Sequence, residues 1–186
     1  MVGNAGRAVF LDRDGVLNEV VVREGKPYPP ASVAEMTVAP DVLPALERLK
    51  AAGYRLVVVT NQPDVARGQQ TREGVEAINA ALAARLPVDE FRVCYHDDRD
   101  GCGCRKPQPG LLRQAPVHDL ERSVMVGDRW CDIEAGQRAG VRATILIDRG
   151  YAEGCTVEPD ARVGSLGEAA DLILAGWADR PARPSK

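Results

Sequence analysis

Aromatic residues make up only 4% of this chain, so its core must be built from Val, Leu, Ile and Ala. Basic runs are also missing. The chain has 24 Lys plus Arg against 27 Asp plus Glu and a net charge of -3. That balance supplies no cationic stripe for a nucleic-acid backbone. No apolar run approaches the roughly 20 residues that cross a bilayer, and the opening M-V-G-N-A-G-R lacks an apolar signal region. These absences predict a cytoplasmic protein, a monomer, with no nucleic-acid and no membrane partner. A hydrophobic content of 45% over 186 residues predicts a single domain spanning 1–186. Its core is expected at about 7–175, followed by a Pro-rich polar tail, 176–186, that frays.

Histidine is scarce as well, yet one of the two histidines and three of the five cysteines fall within residues 94–104, C-Y-H-D-D-R-D-G-C-G-C. Cys94 and His96 form one close pair and Cys102 and Cys104 another. Three thiolates and an imidazole are the ligands of closed, tetrahedral structural zinc sites. A cluster of buried thiols would not tolerate the polar Asp97-Asp98-Arg99-Asp100 between the pairs. A disulfide framework does not suit an odd cysteine count, tight spacing and no sign of secretion. The segment reads as a zinc knuckle, filled by protein ligands and therefore structural. Cys131 and Cys155 lie away from it and read as ordinary buried or half-buried thiols.

Short apolar runs alternate with helical patterns along the chain. Strands are predicted at Ala8–Leu11, Arg55–Val59, Phe91–Tyr95, Ser123–Val126 and Ala143–Ile147. The stretch from Asn18 to Pro40 reads as irregular. Helices are predicted from an Asp41 cap to Gly53, from Thr71 through Leu86, from Pro109 to Pro116, from Ile133 to Ala139, and over Leu166–Leu174. This alternation with fully apolar strands implies an α/β fold: a three-layer, Rossmann-like parallel sheet with helices on both faces. Ligands of such sheets sit at the carboxyl ends of the strands. Asp12, Thr60 and Asp128 each fall at that end of a different strand.

Asp12 and Asp14 flank Arg13 in D-R-D-G-V, where Gly15 permits a sharp turn. Thr60-Asn61-Gln62 offers a hydroxyl and backbone N–H groups to an anion. Lys106 brings a cation in a chain stiffened by Pro107 and Pro109. Asp132, in G-D-R-W-C-D, is either one more acidic group of the site or the cap of the next helix. Together Asp12, Asp14 and Asp128 suit a hard, oxygen-loving Mg²⁺, with Thr60 and Lys106 left to grip a phosphate. Such a set can attack phosphorus with one carboxylate and move the proton of the leaving alcohol with another.

The order D-x-D-G-V, Thr, Lys, G-D-x-x-x-D resembles the haloacid dehalogenase superfamily of phosphatases over about Ala8 to Leu174. The resemblance implies Asp12 as nucleophile and Asp14 as general acid and base. It also implies Mg²⁺ on Asp12, the Asp14 carbonyl and Asp128, with Asp132 in support. D-R-D-G-V-L-N, V-V-V-T-N-Q, A-R-G and C-x-H…C-x-C-R-K-P-Q-P-G resemble the zinc-containing, capless heptose bisphosphate and histidinol phosphatases. Tyr95 and Pro63-Asp64 depart from that pattern. Ala66-Arg67-Gly68 and Pro109-Gly110 lean to the heptose 1,7-bisphosphate branch, whereas the short loop between His96 and Cys102 is like that of many histidinol phosphatases. The implied substrate is a small phosphorylated sugar. Arg67 and Arg105, each beside a phosphate-site motif, are expected to read its non-reacting part. No insertion is long enough for a large cap. A zinc-stapled binding module without catalysis would need a damaged acidic set, and this one is intact.

Overall fold

The computed structural model describes residues 6–114, 118–153 and 156–176. Pro116, Cys155 and positions 177–186 of the expected tail lie outside them. In chain order the elements are β1 (Ala8–Leu11), β2 (Val21–Arg23), β3 (Lys26–Tyr28), α1 (Val42–Ala51), β4 (Arg55–Asn61), α2 (Arg72–Ala83) and β5 (Glu90–Cys94). Then follow α3 (Gly110–Arg113), β6 (Val124–Gly127), α4 (Trp130–Ala139), β7 (Ala143–Ile147), β8 (Ala161–Val163) and α5 (Leu166–Leu174).

Six strands form one parallel sheet in the order β5-β4-β1-β6-β7-β8. Alternate residues of its apolar strands feed two cores. Val9, Leu11, Val58 and Val126 meet Leu46 and Leu49 of α1, Ile78 and Leu82 of α2, and Ile173 of α5. Phe10, Val57, Val59 and Met125 meet Leu111 and Leu112 of α3 and Ala135 and Ala139 of α4. The helices therefore cover both faces, as the continuous apolar strands required. From β1 the chain winds outward to β4 and β5, then returns to build β6, β7 and β8 on the other side. The strand order reverses at β1, and the carboxyl ends of β4, β1 and β6 lie side by side at that crevice.

Several expectations needed correction. The irregular stretch after β1 contains an antiparallel hairpin, β2–β3, turning through Glu24 at φ +49° and Gly25 at φ +74°. Its three-residue strands are largely exposed, so no alternating pattern announces them. The edge strand β8 is equally short. Asp41 does not cap α1: its side chain makes no capping bond there and instead accepts from the Gly167 N–H at 2.9 Å, joining α1 to α5. Thr71 does cap its helix, accepting from Gly74 N at 3.0 Å. That helix stops at Ala83, and Leu86 is buried just beyond it. α4 begins at Trp130 rather than Ile133, which brings Asp132 into its first turn.

Candidate active site

Asp12 leaves the end of β1 with its N–H bonded to the Val126 carbonyl at 3.0 Å, which fixes it between β1 and β6. Lys106 reaches it from the loop after the cysteine cluster. The Lys106 ammonium donates to Asp12 Oδ1 and to the Val59 carbonyl, each at 2.7 Å, and lies 2.6 Å from Asp132 Oδ1. All three side chains are buried. Burial alone would discharge the lysine, but the Asp12 and Asp132 carboxylates outweigh it and hold its pKa above the ordinary value. Asp12 is pushed up to about 6, chiefly by burial, with Asp132 and Asp14 adding and Lys106 opposing. Asp128, at the end of β6, is also held well above the carboxylate range, by burial and then by the charges of Asp12 and Asp132.

One lysine cannot balance three buried carboxylates. Asp12, Asp128 and Asp132 each present an oxygen within 4.8 Å of the others, and Asp128 Oδ1 is buried without a hydrogen-bond partner. An all-oxygen donor set with excess negative charge suits a hard divalent cation. Asp132 fills both readings the sequence left open. Its Oδ2 accepts from Arg129 N at 3.0 Å at the start of α4, while Oδ1 faces Lys106.

Gly15 makes this crowding possible. It sits at φ +88°, and a Cβ there would lie 1.8 Å from Asp128 Oδ2, so no other residue fits the turn. The turn swings the Asp14 carboxylate away from the three clustered aspartates. Asp14 accepts from Arg13 Nη2 at 2.9 Å, Asn18 Nδ2 at 3.0 Å and Gln62 Nε2 at 2.8 Å. Its side chain still borders the same cavity as Asp12.

Thr60 is buried near the end of β4, its hydroxyl accepting from Gln62 Nε2 at 3.0 Å. Asn61, expected at the phosphate site, is bound to the Lys106 backbone. Its carboxamide is spent on the Lys106 backbone, accepting from Lys106 N and donating to Lys106 O, both at 3.0 Å. It positions the lysine, and its second N–H is not used by these two bonds.

The Cys94, His96, Cys102 and Cys104 side chains converge as the spacing predicted. Cys104 Sγ lies 3.2 Å from Cys94 Sγ, 3.4 Å from Cys102 Sγ and 3.3 Å from His96 Nδ1. Cys94 Sγ lies 3.7 Å from Cys102 Sγ and 3.6 Å from His96 Nδ1. A tetrahedral ion with metal–sulfur bonds near 2.3 Å needs edges of about 3.8 Å, so the four atoms outline such a site with only slight expansion. The knuckle is anchored through Gly110 N, which donates to Gly103 O at 3.0 Å. A Cβ at Gly110 would meet that carbonyl at 2.3 Å, so the loop lies directly on the start of α3.

These groups open onto one cavity of about 310 Å³, bordered by Asp12, Asp14, Thr60, Lys106 and Asp128 at its floor. Arg67, Arg105 and the hairpin residues Pro27 and Tyr28 stand at its rim. Both arginines are already tied to the knuckle. Arg67 Nη2 donates to Asp97 Oδ1 at 2.6 Å, and Arg105 Nε donates to Asp98 Oδ1 at 2.6 Å. Arg105 Nη1 is buried and has no partner. The Arg67 pair holds Asp97 at a pKa of about 2.

Sequence reasoning gave no role to the side chains of Gln62, Arg13 and Tyr151. Gln62 links Thr60 to Asp14. Arg13, fully buried, spans Asp14 and Asn79 of α2. The Tyr151 hydroxyl donates to Asp128 Oδ2 at 2.7 Å. Each acts on another side chain; Gln62, inside the T-N-Q motif, and Arg13, inside D-R-D-G-V, carried a positional signal, and Tyr151 carried none.

A HAD-hydrolase-like family model matches residues 103–169. The chain is 34% identical over 189 residues to the D-glycero-β-D-manno-heptose-1,7-bisphosphate 7-phosphatase of Escherichia coli K12, covering 94% of this chain and 91% of that protein. The enzyme of that name from Mesorhizobium japonicum is 36% identical over 182 residues, covering 89% and 78%. Among solved structures, the D,D-heptose 1,7-bisphosphate phosphatase of B. bronchiseptica, complexed with magnesium and phosphate, aligns with a TM-score of 0.76 at 32% identity. That alignment covers 91% of this chain and 98% of that one. Carried on this sheet and these strand ends, the likeness makes the chain a phosphatase of the haloacid dehalogenase-like family.

Proposed function

We propose that this chain is a Mg²⁺-dependent phosphomonoesterase that removes the 7-phosphate of D-glycero-D-manno-heptose 1,7-bisphosphate through a phosphorylated Asp12. The observation that carries the chemistry is the Asp12 carboxylate bordering an open cavity, with Lys106 bonded to one of its oxygens and Asp14 close by in the same wall. Asp12, Asp128 and the Asp14 main chain would hold the metal, with Asp132 behind them. Bound there, Mg²⁺ offsets the charge of the approaching phosphate and of its equatorial oxygens.

Asp12 attacks phosphorus, forming a P–O bond as the bond to the sugar oxygen breaks. Asp14 supplies the proton that the departing alkoxide takes up. Lys106 and the Thr60 hydroxyl hold the phosphoryl oxygens during the transfer. Asp14 then removes a proton from the water that hydrolyses the aspartyl-phosphate, returning both carboxylates to their starting states. Cys94, His96, Cys102 and Cys104 would hold zinc with no position left for substrate, fixing the loop that carries Arg105 and Lys106.

The bisphosphate is favoured over histidinol phosphate by the two rim arginines and by the names of the relatives. A second phosphate gives the free Arg105 Nη1 an anion to bind, whereas histidinol offers an imidazole and an amine. A phosphate-release comparison of both anomers of heptose 1,7-bisphosphate with histidinol phosphate tests the choice. Faster turnover of histidinol phosphate than of either anomer overturns it.

A further inference from the structure

The segment after β7 makes three contacts with the site in the space of four residues. Arg149 Nε donates to the Gly15 carbonyl at 3.0 Å. The Tyr151 hydroxyl donates to Asp128 Oδ2 at 2.7 Å. Ala152 N donates to the Gly25 carbonyl at 3.1 Å, in the turn of the hairpin whose Pro27 and Tyr28 border the cavity. Tyr151 also lies over the sharp turn itself, its hydroxyl 3.0 Å from where a Gly15 Cβ would stand.

We infer that Tyr151 is a positioning residue for the cation-binding carboxylate of Asp128. The two oxygens of Asp128 are in different situations: Oδ2 is taken by Tyr151, Oδ1 is buried and unpartnered, and the carboxylate as a whole belongs to the Asp12–Asp128–Asp132 cluster. A carboxylate with both oxygens free rotates about its last bond and offers a cation either one. A hydroxyl on Oδ2 fixes that rotation and leaves Oδ1 as the ligand. Partners that orient ligands in this way are worth about 10–100-fold in metal affinity. The contact of Ala152 with Gly25 carries the same segment to the hairpin, so the hairpin and the Asp128 carboxylate share one support. The inference rests on the cation site of the proposed function.

The test is Mg²⁺ binding to the full chain by titration calorimetry, without substrate, in wild type, Tyr151→Phe and Asp128→Ala. Tyr151→Phe removes one hydroxyl from a half-buried ring, and its metal-free melting temperature checks that the fold persists. The expected result is a Mg²⁺ dissociation constant raised about 10–100-fold, with phosphatase activity recovered at high Mg²⁺ and KM for substrate then unchanged. Wild-type affinity in Tyr151→Phe, alongside loss of binding in Asp128→Ala, overturns the role of Tyr151 alone. Undiminished binding in Asp128→Ala shows instead that the cation site itself is misassigned, and the inference goes with it.

Discussion

The Asn61 carboxamide spans the Lys106 peptide, accepting from its N–H and donating to its C=O, each at 3.0 Å. Lys106 sits on a loop, whereas Asn61 ends a central strand, so the amide transfers the rigidity of the sheet to the Lys106 ammonium. Asn61→Ala removes both bonds. It is expected to lower kcat about 10- to 100-fold, the equivalent of one to two hydrogen bonds, and to lower the melting temperature by a few degrees. Asn61→Asp keeps the acceptor but not the donor and should fall between. Steady-state kinetics with wild-type rates in Asn61→Ala would remove Asn61 from the positioning of Lys106.

Asp12 illustrates the conflict between stability and function. Its pKa is about 6 in the folded chain against roughly 3.9 when unfolded. Between those values the folded state binds more protons than the unfolded one, so this carboxylate costs stability as pH rises through the window. Asp12→Asn should abolish turnover, because an amide is no nucleophile toward phosphorus. In EDTA it should nevertheless melt above wild type near neutral pH, by a margin that shrinks as pH falls toward about 4. Mg²⁺ should then stabilise wild type and do little for the variant. Thermal scans across pH check this, and a margin independent of pH contradicts the burial of Asp12 as a charged group.

What was readable in the sequence follows from how far each signal reaches. Val57, Val58 and Val59 announce a buried strand on their own, and Asp12 and Asp128 stand out because each ends such a run. The knuckle was legible because its four ligands lie within eleven residues. The β2–β3 hairpin was not, since three-residue exposed strands with Pro27 in one of them leave no period to detect. Asp41 looked like a cap because its partner, Gly167, is distant in sequence. Tyr151 escaped for the same reason, its partner Asp128 lying 23 residues away, as did the bond of Arg13 to Asn79, 66 residues on.

The knuckle makes a separate prediction. Purified protein should carry about one equivalent of zinc that survives dialysis, as closed four-ligand sites do. Cys102→Ser should lower the melting temperature and the rate together, because the loop that holds Lys106 loses its staple while its Gly110–Gly103 contact remains. Elemental analysis finding no zinc, or a Cys102→Ser protein with normal melting and rate, would leave the cluster without a structural role.

Arg105 separates recognition from chemistry. Its Nε is held by Asp98, while Nη1 is buried with no hydrogen-bond partner, on a residue that lines the cavity. Arg105→Ala should cost a charge-assisted bond of about 1.5–3 kcal/mol, or roughly 10- to 150-fold in kcat/KM, for the heptose bisphosphate. A small monophosphate has no second anion to lose, so its kcat/KM should change far less. Asp98→Asn tests the support: Arg105 keeps its charge but loses the carboxylate that orients it, and the effect should be smaller than that of Arg105→Ala and again selective for the bisphosphate. Equal losses on both substrates in Arg105→Ala would instead place the guanidinium at the reacting phosphate, beside Lys106.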